Sequence, residues 1–384
     1  MLDRRSLLVR GALTALASGV APRMAFAKAE TDRRFVFIIQ RGAADGLGVI
    51  APVGDPAFVS QRGDLAADLV GAPRLDSMFA LHPAMATTLG LYRQGQALFA
   101  HAVASPYRDR SHFDGQNVLE TGGTGPYQLR DGWMNRMLSL IPSGEARAIA
   151  VTATVPMALR GAHEVASYAP SALPQASDDL LQRVSMLYQG DSQLHGLWSE
   201  ALSTRELTGD LAADNGRAAG ATGGLAARLL APANGARIAM IETGGWDTHT
   251  QQRQRLTANL RGLDAMIGAL RAGLGPVWDH TVVLVATEFG RTVAVNGTGG
   301  TDHGTGTAAM LIGGAVKGGR VLADWPGLAT ANLYEGRDLK PTMPLDAWVA
   351  GAVAGQFGID PARALTGLFP GNAGAQPVTG LIRA

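Results

Sequence analysis

Residues 281–289 read Thr-Val-Val-Leu-Val-Ala-Thr-Glu-Phe, and Gly290-Arg291-Thr292 follow. The run from Thr281 to Ala286 is rich in β-branched and apolar side chains. It is too short for an ordinary helix, and it lacks the alternation of a strand with one wet face. It therefore reads as a strand buried on both sides, the kind found in parallel sheets covered by helices. Glu288 comes just after it. A carboxylate there is costly to bury unless it is ion-paired or ligating. The plain alternative is a salt bridge to Arg291.

The same pattern recurs twice. Phe35 to Gln40 (FVFIIQ) runs into a Gly-containing loop that carries Asp45, and Arg237 to Glu242 runs into Gly244-Gly245-Trp246-Asp247-Thr248-His249. Ala97 to Val103 and Ala308 to Ile312 are further strand candidates, and Ala148 to Thr152 is a weaker one. Between them lie helical stretches. His82 to Tyr92 has Pro83 as its first-turn residue, and Ser111 to Glu120 stops at Gly122-Gly123. Leu256, Leu260, Leu263, Ile267, Leu270 and Leu274 form one apolar stripe at helical spacing. Strands alternating with helices predict an α/β fold in three layers, a mostly parallel central sheet with helices on both faces. Residues 177–189 and 193–203 read as a helical excursion, and the Gly/Ala/Asn-rich stretch 209–235 reads as a flexible loop.

The N-terminus speaks about destination. Arg4-Arg5 precede a mild apolar stretch from Leu7 to Val20, and Ala25-Phe26-Ala27 offers a small-x-small cleavage site. This predicts a twin-arginine signal peptide over residues 1–27, recognised by the twin-arginine export machinery, with residues 28–384 as a single exported domain, periplasmic or extracellular. The apolar run is too short and weak to cross a bilayer core of about 30 Å, so no stable membrane span is expected. With 33 basic against 32 acidic residues the formal charge is only +1, which argues against a nucleic-acid partner. Cys is absent, so any metal site must be built from His and carboxylates.

In open α/β sheets ligands bind beyond the carboxyl ends of the strands. Asp45, Asp247, His249 and Glu288 all follow strands, and His303 lies on the Gly-rich loop after Glu288. Residues two apart in extended chain point the same way, so Asp247 and His249 could grip one ion. Taken singly, each has a blander reading: Asp247 or Thr248 as a cap of the long helix, Asp45 as a turn residue, Asp302-His303 as an exposed turn. Ser111-His112-Phe113-Asp114 reads as a capping box, yet a hydroxyl at a helix N-terminus also sits where an anion is stabilised. Arg108 and Arg110 just before it are candidate anion-binding groups. His112 is a candidate ligand or general acid. His82, His101, His163, His195 and His280 read as structural or surface residues.

RGAADGLGVIAP, LHPAM, RSHFDGQNVLETG, GGWDTH, TEFGRT and GTDHG occur in that order along the chain. In these pieces the chain resembles the exported bacterial family "domain of unknown function 1501", which is similar to the alkaline phosphatase and sulfatase superfamily. The resemblance implies an alkaline phosphatase-like fold and a metal-dependent hydrolase of phosphate or sulfate esters. Asp45, Asp247, His249, Glu288 and His303 would then hold divalent metal (Zn, Mn or Mg). Ser111 would be nucleophile with His112 beside it, and Arg291, Arg108 or Arg110 would steady negative charge. Phe289 stands where that superfamily has a metal-binding His, and the Asp247-x-His249 spacing is shortened. These departures leave a second reading open: a non-catalytic metal- or anion-binding or assembly protein on a reduced site. A redox role has no Cys cluster or dinucleotide fingerprint behind it.

Overall fold

The computed structural model describes residues 33–142, 147–169, 178–191, 194–196, 198–199, 219–372 and 374–383. The segment expected to be a signal peptide, residues 1–27, lies outside them. In chain order the elements used below are β1 (Arg34–Gln40), α1 (Gly46–Val49), β2 (Ile50–Ala51), α2 (Phe58–Arg62), β3 (Ala80–Leu81), α3 (Ala86–Arg93), β4 (Ala97–Ala104), α4 (His112–Thr121), α5 (Trp133–Leu138), β5 (Ala148–Val151) and β6 (Ala166–Ser167). They continue with α6 (Asp178–Tyr188), α7 (Ala219–Leu230), β7 (Ile238–Thr243), α8 (Gln252–Leu274), β8 (Thr281–Ala286), β9 (Thr307–Ile312), β10 (Arg320–Leu322), β11 (Met343–Pro344), α9 (Leu345–Phe357) and α10 (Pro361–Leu368).

Among the described residues the main sheet has nine strands in the order β10-β4-β9-β8-β1-β7-β5-β6, with β11 beside β4. β1 is central and parallel to β7 and β8. Its side chains alternate between two cores. Val36 and Ile38 join one with α7 and the α8 stripe from Leu256 to Leu274. Phe35, Phe37 and Ile39 join the other with Trp133 of α5, Trp348 of α9 and Leu365 of α10. Both faces are dry, which is why FVFIIQ and TVVLVA read as unbroken apolar runs. Three layers and a mostly parallel sheet are therefore what the chain forms.

Two stretches differ from the sequence reading, which leaves the direction of β9 open. β9 is antiparallel to both β8 and β4. A chain that leaves β8 at its carboxyl end and re-enters antiparallel starts β9 at that same edge. The loop 287–306 thus stays on one edge of the sheet. Next, the segment read as loop at 209–235 holds helix α7. Its small residues serve close helix contact: a Cβ on Gly223 would lie 2.2 Å from the Met266 carbonyl of α8. Low helix propensity is outweighed there by burial of Leu225, Leu229 and Leu230. Residues 209–218 lie outside the described residues, as does most of 193–203, of which 194–196 and 198–199 are helical. Finally, the helix expected from His82 begins only at Ala86. His82 and Pro83 instead form a turn closed by the Met85 N–H donating to the His82 carbonyl.

Candidate metal centre

The carboxyl ends of β8, β1 and β7 are neighbours, so the loops after them meet. Gly42, at φ +117°, passes so close to the Asp247 loop that a Cβ there would lie 2.5 Å from the Asp247 backbone nitrogen. Its own N–H donates to Glu288 Oε1 at 2.8 Å. The segment after β4 arrives from the far side and delivers His112 at the first turn of α4.

His112, Asp247 and His303 offer ligand atoms that lie within 4.8 Å of one another, a group that could hold a metal ion. His249 adjoins it, with Nε2 2.9 Å from Asp247 Oδ1 and 3.0 Å from His303 Nε2. His303 Nε2 is 3.3 Å from Asp247 Oδ1, and His112 Nε2 is 3.5 Å from Asp247 Oδ2. These spacings bracket the roughly 3.3 Å edge of a tetrahedron whose ligands stand about 2.0–2.1 Å from a central ion.

The far nitrogen of each ring explains the convergence. His112 Nδ1 faces Glu288 Oε1 at 2.8 Å. His303 Nδ1 faces the Arg110 carbonyl at 2.9 Å. His249 Nδ1 faces Asp302 Oδ1 at 3.2 Å. In its Nδ1-protonated tautomer each ring gives that hydrogen to its acceptor and turns the Nε2 lone pair to the common point, the arrangement by which outer partners orient metal-binding imidazoles. The His112 Nε2 is buried and makes no hydrogen bond among the described residues. Three carboxylates contact the imidazoles (Asp247, Glu288 and Asp302), and of these only Asp247 is paired with a guanidinium, that of Arg291, which leaves an excess of negative charge that a divalent cation offsets. Donor chemistry, spacing and charge all fit such an ion.

The electrostatics are consistent. Burial alone would raise Glu288, but hydrogen bonds from His112, Gln116 and Thr287 outweigh it and hold the carboxyl below its usual range. The bond to Glu288 in turn raises His112 above the ordinary imidazole value. Asp247 is also held low: burial opposes this, and the Arg291 hydrogen bond at 2.6 Å prevails. His303 is lowered by burial and by the neighbouring His112 and Arg291 charges.

Several sequence readings are sorted by this geometry. Asp247 and His249 do meet, and neither Asp247 nor Thr248 caps α8, whose N-cap is Gln251. Glu288 does not pair with Arg291. It stands behind His112, as an orienting group rather than a member of the ligand cluster. Asp45 is turned elsewhere: its Oδ2 accepts from the buried Arg62 guanidinium and from Gln252 Nε2. Arg62 and Gln252 both engage Oδ2, while Oδ1 is buried without a hydrogen-bond partner among the described residues, and Asp45 is not among the three residues whose ligand atoms converge. Ser111 is the N-cap of α4 but makes no side-chain cap bond, so no capping box forms. Arg110 is tied to Asp338 and Glu335, and Arg108 donates to the carbonyls of Ser105 and Tyr107; neither faces the cluster as a free cation. Arg291, only 1 % exposed, donates directly to Asp247 and is itself held by donating to Thr301. Nothing in the sequence pattern singles out Gln116, and Asp302 is legible only as part of a turn. Gln116 lies four residues after His112 on α4 and donates to the same Glu288 Oε1, a spacing that puts both on one helix face.

A mixed α/β sheet with a His/Asp cluster at its carboxyl edge defines the class. The family model described as "Protein of unknown function (DUF1501)" matches residues 32–369, and the chain belongs to that family. No curated protein matches the sequence. Among solved structures the chain is similar to the C-terminal periplasmic domain of EcEptC from Escherichia coli in complex with Zn, at 10 % identity over 74 % of each chain with a TM-score of 0.34. No helix among the described residues is long and apolar enough to cross a membrane.

Proposed function

We propose that the chain is an exported metal-dependent hydrolase of phosphate or sulfate esters on an alkaline phosphatase-like fold. The observation that carries this reading is the convergence of three imidazole Nε2 atoms on Asp247, each ring anchored through its Nδ1. In this reading His112, Asp247, His249 and His303 hold one divalent ion. A nitrogen-rich donor set favours Zn or Mn over Mg, which prefers oxygen ligands and water. The ion supplies Lewis acidity toward an ester oxygen.

The chain's own groups do the rest. Glu288, Asp302 and the Arg110 carbonyl orient the rings. Arg291 fixes Asp247 and adds a buried positive charge beside the reacting centre. Ser111, at the head of α4 next to His112, is the candidate nucleophile, with the helix N-terminus favouring a developing anion. Asp45 paired with Arg62, and Phe289 in place of an imidazole, favour a single ion over a pair. The same reduction supports a second reading, a non-catalytic metal- or anion-binding protein.

The test is metal analysis of chain purified without chelator, followed by a screen of model phosphate and sulfate esters with wild type, Asp247→Ala and His303→Ala. The hydrolase reading expects bound Zn or Mn and ester cleavage that both variants lose. Bound metal without cleavage of any ester moves the assignment to the binding protein. Chain that takes up neither Zn nor Mn overturns both metal readings.

A further inference from the structure

A cavity of about 240 Å³ lies beyond the carboxyl end of β4. None of the residues of the metal group lines it. Parallel pairing of Met343 and Pro344 with Val103 and Ala104 brings its two walls together. Pro106, Pro341 and Pro344 make a stiff apolar part of the lining, and Ser105, Arg108 and Asn372 supply the polar part.

The polar groups are unusual for a structural pocket. Ser105 is only 3 % exposed, and its Oγ has no hydrogen-bond partner among the described residues. A buried hydroxyl in that state is costly and calls for a reason. Arg108 donates through Nη1 to the carbonyls of Ser105 and Tyr107. Unlike Arg110, it forms no ion pair with a carboxylate among the described residues, and burial lowers its pKa. Asn372 is held by donating its Nδ2 to the buried Asp346 carboxylate.

We propose that this cavity binds a small monocarboxylate with an apolar body. Its carboxylate accepts from Arg108 and, after rotation about the Ser105 Cα–Cβ bond that turns the buried hydroxyl to the cavity, from Ser105, and its body lies on Pro106, Pro341 and Pro344. One guanidinium offsets one negative charge. A phosphate dianion would leave a charge uncompensated close to Asp346. The volume falls below the roughly 300–1,000 Å³ of sites for larger ligands, which suits a fragment-sized acid.

Benzoate is the probe, titrated calorimetrically into the purified full chain in the presence of EDTA, with benzyl alcohol and inorganic phosphate as comparators. Saturable benzoate binding is expected, weakened about tenfold or more in Arg108→Gln and in Ser105→Ala. Ser105→Ala removes an unpaired hydroxyl, so this variant should melt no lower than wild type and serves as the folded control. His303→Ala should bind benzoate as wild type does, which separates this cavity from the metal centre. Absence of saturation, equal affinity in Arg108→Gln or Ser105→Ala, tighter binding of phosphate or benzyl alcohol, or loss of binding in His303→Ala each overturns the proposal.

Discussion

At the scale of the residue, the informative side chain is Glu288. It is fully buried and accepts from His112, the Gly42 N–H, Gln116 and Thr287. Its negative charge makes His112 a stronger base, hence a stronger donor to a cation. Glu288→Gln keeps the shape and most of the hydrogen bonds while removing that charge. Loss of such an outer partner typically lowers metal affinity by about 10–100-fold, and competition against a chelator should read a drop in that range. An unchanged affinity would mean that His112 is not a ligand. Phe289 contributes by shape instead: its ring stacks on His112 with centroids 5.1 Å apart and tilts against His303 at 5.4 Å, a wedge that sets both imidazoles.

Two buried titratable groups on separate elements give opposite responses to pH. His101 on β4 donates its Nε2–H to the Ile50 carbonyl, accepts the Ala102 N–H at Nδ1, and is depressed to about 4 by burial. The folded state therefore binds fewer protons than the unfolded state between about pH 4 and 6.5. Stability from this group is complete above about pH 6.5 and is lost as pH falls toward 4, by up to roughly 3 kcal/mol. His101→Gln should flatten that part of a melting-temperature profile between pH 7 and 4.5. Asp346, in the first turn of α9, has the opposite sign. Burial raises it to about 6 against the hydrogen bond from Asn372, so its folded form holds a proton that the unfolded form has lost, and stability falls as pH rises from about 4 to 6. Asp346→Asn should raise the melting temperature at pH 7.5 and leave it nearly unchanged at pH 4. An unaltered profile in either variant would show that the group titrates alike folded and unfolded.

For the whole molecule, the metal group ties together segments remote along the chain, around His112, Asp247 and His303. A cation bound there stabilises the native state by mass action, about 2.7 kcal/mol at a free concentration 100 times Kd. Thermal melts should therefore rise by a few degrees with Zn or Mn and fall back with EDTA, and His303→Ala should show no such response. The proposed export signal in residues 1–27 is tested separately. Replacing Arg4 and Arg5 together by Lys in a fusion of that segment to a folded reporter should retain the reporter in the cytoplasm. Export that persists would assign the segment to another route.

Read alone, the sequence determined the layers and the neighbourhood of the site, because those depend on local pattern. Buried strands such as FVFIIQ and TVVLVA show in continuous apolar runs, and the polar loops after them were the natural place for Asp247, His249, Glu288 and His303. It did not decide which polar residue does what. Asp45 and Glu288 both follow buried strands, yet one is matched by Arg62 from a distant helix and the other by His112. Those partners are chosen by how loops cross in space, and an ionic or hydrogen-bonded contact leaves no periodic trace in the chain. The same holds for α7, whose Gly and Ala look like a loop until the backbone of α8 lies against them. Only the tertiary structure could supply the orientation of each ring, since that is set by an acceptor on another segment behind it.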